Sequence, residues 1–242
     1  MSDINHLLSP AFTAIRRLIL HYQILEKKAG VVVGVSGGTD SLVLLFLLNE
    51  YNKRFNQNWD IKPCHIYPDF PNWNTSYIEE YCEKLNLPCK IIKVKIEERL
   101  QSLEKKCFFC ARERRHRLLE YADSLNIFRV ALAHHLEDVV ETLLLNLIYN
   151  GEISTFLPAQ SVIQGRFLFI RPLYYLKKEY LIKIAQSLKI PENINKCPYY
   201  QFSKREKVRH FLMELTKEYP DVYSSIFNGI FNIKKAYLPY YK

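Results

Sequence analysis

Six residues, Ser36-Gly37-Gly38-Thr39-Asp40-Ser41, stand between a β-branched apolar run at 31–35 and an apolar helical pattern at 42–51. The run suits a strand covered on both faces, as parallel strands are. Two glycines let the backbone turn tightly and approach an anion without Cβ interference. The following helix offers unpaired N–H groups and the positive end of its dipole. Ser36 and Ser41 bring hydroxyl donors, and Asp40 brings a carboxylate able to hold Mg²⁺ against phosphate oxygens. This is not a Walker A loop, which needs four residues between its glycines and a Lys before Ser/Thr, and G-x-G-x-x-G is absent. A glycine turn capped by serines is the plain alternative. The coincidence of strand, loop and helix favours a phosphate loop.

The surrounding pattern alternates. Strands are expected at 61–67, 90–94, 129–133 and 167–171, and helices at 10–28, 75–85, 111–125, 136–149 and 177–188. Such alternation means βαβ units and an α/β fold, a Rossmann-like parallel sheet with helices on both faces. Ligands of these sheets bind at the carboxyl ends of strands. Helices at 203–218 and 222–233 form a small helical C-terminal extension. The expected organisation is one domain over 1–195, with residues 196–242 packed on it.

A second polar stretch, Ala133-His134-His135-Leu136-Glu137-Asp138-Val139-Val140-Glu141-Thr142, follows a later strand. It would set His134 and His135 at a strand end and Asp138 in a first helical turn, facing the same crevice. An imidazole there donates to phosphate and a carboxylate coordinates Mg²⁺. An N-capping cluster is the bland alternative.

Cys107-Phe108-Phe109-Cys110 presents two thiols within reach of one metal or of each other. Arg112, Arg114, Arg115 and Arg117 follow, and guanidinium charge with a helix N-terminus favours the thiolate. A third thiol, Cys197, lies far along the chain. Three cysteines suit a 4Fe-4S cluster with one iron open, whereas a closed structural site takes four; a zinc knuckle or a redox pair also stays open. Cys64, Cys82 and Cys89 sit in apolar patterns and read as small core residues.

Lys and Arg number 34 against 25 acidic residues, an excess of +9 that favours a polyanionic partner. The segment around Arg112 and the cluster Lys204, Arg205, Lys207 and Arg209 could grip one, or be solvated helix faces. Arg16 and Arg17 precede only a three-residue apolar run before His21, too short for a secretory core, and the longest apolar run, 42–48, is far below a membrane span. The expectation is a cytoplasmic protein with reduced thiols and no membrane contact.

The loop S-G-G-x-D-S after an apolar strand resembles that of the N-type ATP pyrophosphatases, the PP-loop superfamily, and residues 133–142 are similar to its GHHxxDxxxT segment. Residues 15–233 resemble one branch, the tRNA 2-thiocytidine synthetases, which are PP-loop sulfurtransferases with an iron–sulfur cluster. Cys107, Cys110 and Cys197 match that branch's CxxC and lone distant Cys. Ile170-Arg171-Pro172-Leu173, Tyr219-Pro220 and Ile226-Phe227-Asn228 follow its pattern too.

The resemblance implies ATP on Ser36, Gly37, Gly38, Thr39, Asp40 and Ser41, and Mg²⁺ near Asp40 and Asp138. It also implies catalytic roles for Asp40, Asp138 and His134, and a 4Fe-4S cluster on Cys107, Cys110 and Cys197. The implied partners are tRNA, entered at the anticodon loop, a cysteine desulfurase or other sulfur donor, and a second copy in a homodimer. The implied reaction adenylates the C2 oxygen of a tRNA cytidine, then replaces it with sulfur. Two departures stand out: Thr39 replaces the family's common Lys, and Glu137-Asp138 replaces its Asp-Asp pair. Open alternatives are sulfur transfer to another RNA base or a small metabolite, a persulfide relay through Cys107 and Cys110, and a nucleotide-responsive RNA-binding protein without turnover. Lysidine synthetase, also related, leaves the three cysteines unexplained.

Overall fold

Val31 and Val33 enter one hydrophobic core and Val32 the other, all with no exposed surface. Period-2 alternation with both faces covered is why this strand reads as an unbroken apolar run. The computed structural model describes residues 2–103, 106–195, 197–199 and 203–237. Its strands are β1 (Gly30–Gly34), β2 (Asp60–Pro68), β3 (Lys90–Val94), β4 (Arg129–Ala131), β5 (Ala159–Val162) and β6 (Phe167–Ile170). They form one sheet in the order β3-β2-β1-β4-β6-β5, parallel except for the β5–β6 pair. The helices are α1 (Ser2–Tyr22), α2 (Thr39–Arg54), α3 (Ser76–Lys84), α4 (Glu97–Gln101), α5 (Lys106–Ser124), α6 (Leu136–Asn150), α7 (Lys178–Ser187), α8 (Lys204–Glu218) and α9 (Val222–Phe231). The expected α/β architecture is therefore the observed one.

One core joins α1, α2, α6 and α7 to the sheet face of Val31 and Val33. The other joins Val32, Cys64, Ile66 and Val130 to Leu118, Leu119 and Ala122 of α5. The chain runs outward from β1 through β2 to β3, then returns to place β4 on the opposite side of β1. The segments leaving β1 and β4 therefore diverge at a topological switch point, which opens a crevice at their carboxyl ends. Helices α8 and α9 pack against α6.

Three expectations are corrected. The first helix begins at Ser2 and carries Pro10 inside, because Leu8, Ala11, Phe12, Ile15 and Leu18 form one buried stripe through it. It ends at Tyr22, where Gln23 turns left-handed at φ 49°. Helix α5 begins at Lys106 rather than 111, so Cys107 and Cys110 lie within its first turns, and it ends at Ser124, short of the exposed Leu125. Strand β5 and helix α4 were not expected. Each is short, and β5 owes its place to pairing with β6 rather than to local pattern. Lys196, Tyr200, Gln201 and Phe202, through which the expected 195/196 boundary region runs, lie outside the described residues. No helix among the described residues is long and apolar enough to cross a membrane.

Candidate active site

The turn after β1 is shaped by one glycine above all. Gly37 has φ 86°, and a Cβ there would lie 2.4 Å from the Tyr77 hydroxyl and 2.8 Å from Ile78 Cδ1. Gly38, the N-cap of α2, has φ −76° and would place a Cβ no nearer than 3.5 Å to Ser36 Oγ. The fold therefore demands glycine at 37 but leaves room for a side chain at 38. No side chain caps α2 at Gly38. Both serine hydroxyls brace the loop. Ser41 Oγ accepts from the Ser36 N–H and hydroxyl, both at 3.1 Å, and donates to the Gly38 carbonyl at 2.7 Å, while Ser36 Oγ accepts the Gly38 N–H at 3.2 Å.

Across the switch point, the start of α6 meets this loop. His135 Nε2 stands 3.7 Å from an Asp40 oxygen and 3.3 Å from an Asp138 oxygen, so the two carboxylates expected from the sequence do converge. Asp138 also accepts the His135 backbone N–H at 3.1 Å, so it both caps α6 and faces the site. Its other oxygen takes a guanidinium N–H of Arg205, also at 3.1 Å.

Burial alone would raise the Asp138 carboxyl and lower His135. The charges of His135 and Arg205 and the His135 backbone N–H hold Asp138 below the usual carboxylate range instead, and Glu137, Asp138 and Asp40 raise His135. His134 is different: burial, with Arg171, Arg205 and Arg115 nearby, pushes its pKa down to about 3, so it is neutral at physiological pH. Arg171 Nε donates to His134 Nδ1 at 3.2 Å, which leaves the ring proton on Nε2 as a neutral donor. His134 stacks on Phe156 with ring centroids 4.4 Å apart, and Arg171 lies 4.6 Å from the same ring.

One residue of this site, Lys178, carries no sequence signal, and two others, Glu137 and Arg171, stand out in the sequence only through the family pattern. Lys178, the first residue of α7, places Nζ 2.6 Å from each Asp40 oxygen. Its backbone N–H donates to both oxygens of Glu137, at 3.0 and 2.9 Å, and Glu137 also meets His135 Nδ1 at 2.9 Å. Glu137, noticed in the sequence only as a departure, thus ties α7 to the start of α6. Arg171 is 3% exposed, and burial with the nearby charge of Arg115 lowers its pKa to about 10, still charged at neutral pH.

A crevice of about 250 Å³ opens beside the loop. It is lined by Ser36, Asp40 and Ser41, by His134, by Ile66, Leu118 and Leu132 as apolar wall, and by Arg114 and Arg115. Arg114 is fixed by its 3.0 Å bond to the Ile66 carbonyl. Of the expected basic faces, Arg114 and Arg115 are the part that lines this crevice. Arg117 pairs with Glu113 and Glu120, Arg205 reaches Asp138 and Thr142, and Arg209 clasps Glu141, whereas Arg112, Lys204 and Lys207 are exposed.

The cysteines converge one helical turn from this crevice. Cys107 and Cys110 are three residues apart on α5, and Arg114 follows Cys110 by four, on one side of the helix. Tyr199 packs on Phe70 at 6.0 Å and under Lys106 Nζ at 5.3 Å, and its carbonyl lies 3.9 Å from Cys107 Sγ. That docking brings Cys197 close enough for its charge to raise the pKa of both other thiols. Burial is the larger cause of both shifts; at Cys110 it outweighs Arg114, whose charge still favours the thiolate as expected. The thiols are neighbours and not a closed set: among the described residues no group of three or more His, Cys, Asp or Glu is arranged to hold a metal ion. Soft sulfur donors drawn from two distant segments fit an iron–sulfur cluster in chemistry. Of the remaining cysteines, Cys64 and Cys82 are buried core residues as expected, whereas Cys89 is only partly buried, packed against the outside of the first core.

A phosphate-shaped turn at a switch point, facing paired carboxylates, defines a nucleotide-binding α/β protein, and the PP-loop domain family matches residues 10–216. The chain belongs to the PP-loop family. Among curated relatives it is similar to the tRNA-cytidine(32) 2-sulfurtransferase of Bdellovibrio bacteriovorus, 30% identical over 238 residues that cover 95% of this chain and 92% of that protein. The enzyme of the same name from Coxiella burnetii is 29% identical over 229 residues, 93% of this chain and 90% of the relative. Among solved structures, the U34-tRNA thiolase NcsA from Methanococcus maripaludis with its 4Fe-4S cluster shares the fold at TM-score 0.72 and 24% identity, covering 93% of this chain and 78% of that one. The NH3-dependent NAD synthetase of Campylobacter jejuni aligns at TM-score 0.51 and 19% identity, covering 98% of each chain.

Proposed function

We propose that this chain is an ATP-dependent tRNA sulfurtransferase that adenylates the C2 oxygen of a tRNA cytidine and replaces it with sulfur. The observation that carries the reading is the course of α5: its first turns hold Cys107 and Cys110, and one turn later Arg114 and Arg115 line the nucleotide crevice. A sulfur-handling site and a nucleotide site on one rigid helix are what the second half of such a reaction needs. The names of the curated relatives support the same substrate class.

In this reading ATP lies on residues 36–41, with its base against Ile66, Leu118 and Leu132. Asp40 and Asp138 are the hard oxygen donors that would hold Mg²⁺. The cytidine oxygen attacks the α-phosphorus and pyrophosphate leaves; a sulfur nucleophile then adds at C2, and AMP leaves with the former oxygen. Neutral His134 offers its Nε2 proton as a hydrogen bond to the charge developing on phosphate, and Arg115 neutralises it. A 4Fe-4S cluster would be held by Cys107, Cys110 and Cys197 and, when bound, supplies the place where sulfur is kept for transfer. The target base must be unstacked, so an anticodon-loop nucleotide is a cheaper target than one in a duplex.

Two measurements test this together. Protein purified without oxygen is analysed for iron and sulfide, alongside Cys107→Ala and Cys197→Ala; about four irons per chain, lost in both variants, are expected. The native chain is then incubated with tRNA, ATP, Mg²⁺ and sulfide, and the nucleosides are analysed for 2-thiocytidine. Pyrophosphate release without tRNA dependence would move the substrate to a small metabolite. Thiolation without iron, with a cysteine desulfurase and cysteine in place of sulfide, would move the sulfur to a persulfide on Cys107 or Cys110.

A further inference from the structure

We propose that Lys178 is the phosphate-binding cation of the 36–41 loop, delivered across the crevice from α7 because the loop brings none of its own. This rests on the reading of that loop as an ATP site. Residues 36–41 contain no Lys or Arg, and Thr39 stands between Gly38 and Asp40. A polyphosphate there would meet backbone N–H groups and a carboxylate, and needs a positive partner.

Lys178 is held in place to be that partner. Its backbone N–H is fixed by both oxygens of Glu137, which also contacts His135 Nδ1. Its Nζ reaches Asp40, in the first turn of α2, at 2.6 Å on each oxygen. An ammonium has three N–H donors, so two given to Asp40 leave one for a phosphate oxygen. The position is otherwise costly: a cation stands at the positive end of the α2 dipole. A lone ion pair with side chains still 37% and 25% exposed contributes little to stability, so bracing the fold does not account for it. An anion arriving at the same place does: the ammonium serves Asp40 as counter-ion and turns its remaining donor to phosphate.

The test measures equilibrium binding of ATP, pyrophosphate and adenosine to the full chain, to Lys178→Met, and to the double variant Thr39→Lys with Lys178→Met, with the Tm of each. Lys178→Met is expected to lose about tenfold or more in affinity for ATP and pyrophosphate, as for a lost charge-assisted contact, and to keep its affinity for adenosine. An ammonium placed in the loop by Thr39→Lys is expected to restore much of the loss, which a merely structural role would not allow. Unchanged pyrophosphate affinity in Lys178→Met, or an equal loss for adenosine, overturns the proposal while the ATP site stands. A native chain that binds no ATP overturns the loop reading itself. Because a variant can fail to fold, acetylation of Lys178 in the native chain is followed by mass spectrometry as well: pyrophosphate is expected to slow it, and an unchanged rate overturns the proposal.

Discussion

Lys178 Nζ and the Asp40 carboxylate meet at 2.6 Å on both oxygens, although 138 positions separate them in the chain. The pair joins the loop after β1 to the start of α7, on either side of the switch point. Asp40→Asn keeps the shape and removes the charge. Its pyrophosphate release should fall on the order of 10²-fold, while Tm moves by no more than about 4 °C. Equal collapse of Tm and activity would make Asp40 a structural residue.

Gly37 and Gly38 should respond oppositely to alanine. Gly37→Ala forces a left-handed backbone on a residue with a Cβ and drives it into Tyr77 and Ile78, so it should cost about 1–3 kcal/mol in denaturant unfolding. Gly38→Ala should leave stability within about 0.5 kcal/mol and weaken ATP binding. A destabilised Gly38→Ala would contradict the space found around it.

Adjacent histidines should titrate in opposite directions. His134, at about 3 in the fold against an ordinary 6.5, is accepted only neutral. Its contribution to stability is present above about pH 6.5 and is lost as pH falls below that toward 3. His135 is raised above 6.5, so its contribution is full below that value and is lost as pH rises through its folded pKa. NMR titration should show His135 still protonated at pH 6.5 and His134 already neutral there; a shared ordinary pKa would refute both environments.

Glu141 anchors the C-terminal helices. It is 2% exposed, takes Arg209 on both oxygens at 2.8 and 3.1 Å, and lies 3.6 Å from Arg205. Glu141→Gln should lower unfolding free energy by roughly 2 kcal/mol. Because Arg205 also holds Asp138, the variant should weaken ATP binding too. A loss of stability with unchanged ATP affinity would separate the two networks.

Much of the fold was legible because it rests on local pattern: β-branched runs bounded by glycine, helices at regular intervals, and a loop whose glycines have a steric reason at Gly37. What misled was equally physical. Pro10 signals a helix start, yet a buried stripe from Leu8 to Leu18 carries the helix through it. Arginines beside a CxxC signal a thiolate, yet burial of Cys107 and Cys110 opposes it.

The sequence by itself determined the α/β architecture, the phosphate turn, the pairing of Asp40 with Asp138 as candidates, and the three cysteines worth watching, because each is written in neighbouring residue types or fixed spacings. Only the tertiary structure decided that Lys178 neutralises Asp40, that Arg171 and Phe156 hold His134 neutral, and that Tyr199 docks the Cys197 segment on α5. Those relationships join residues far apart in the chain, and charge, distance and burial between them exist only once the sheet has closed the switch point.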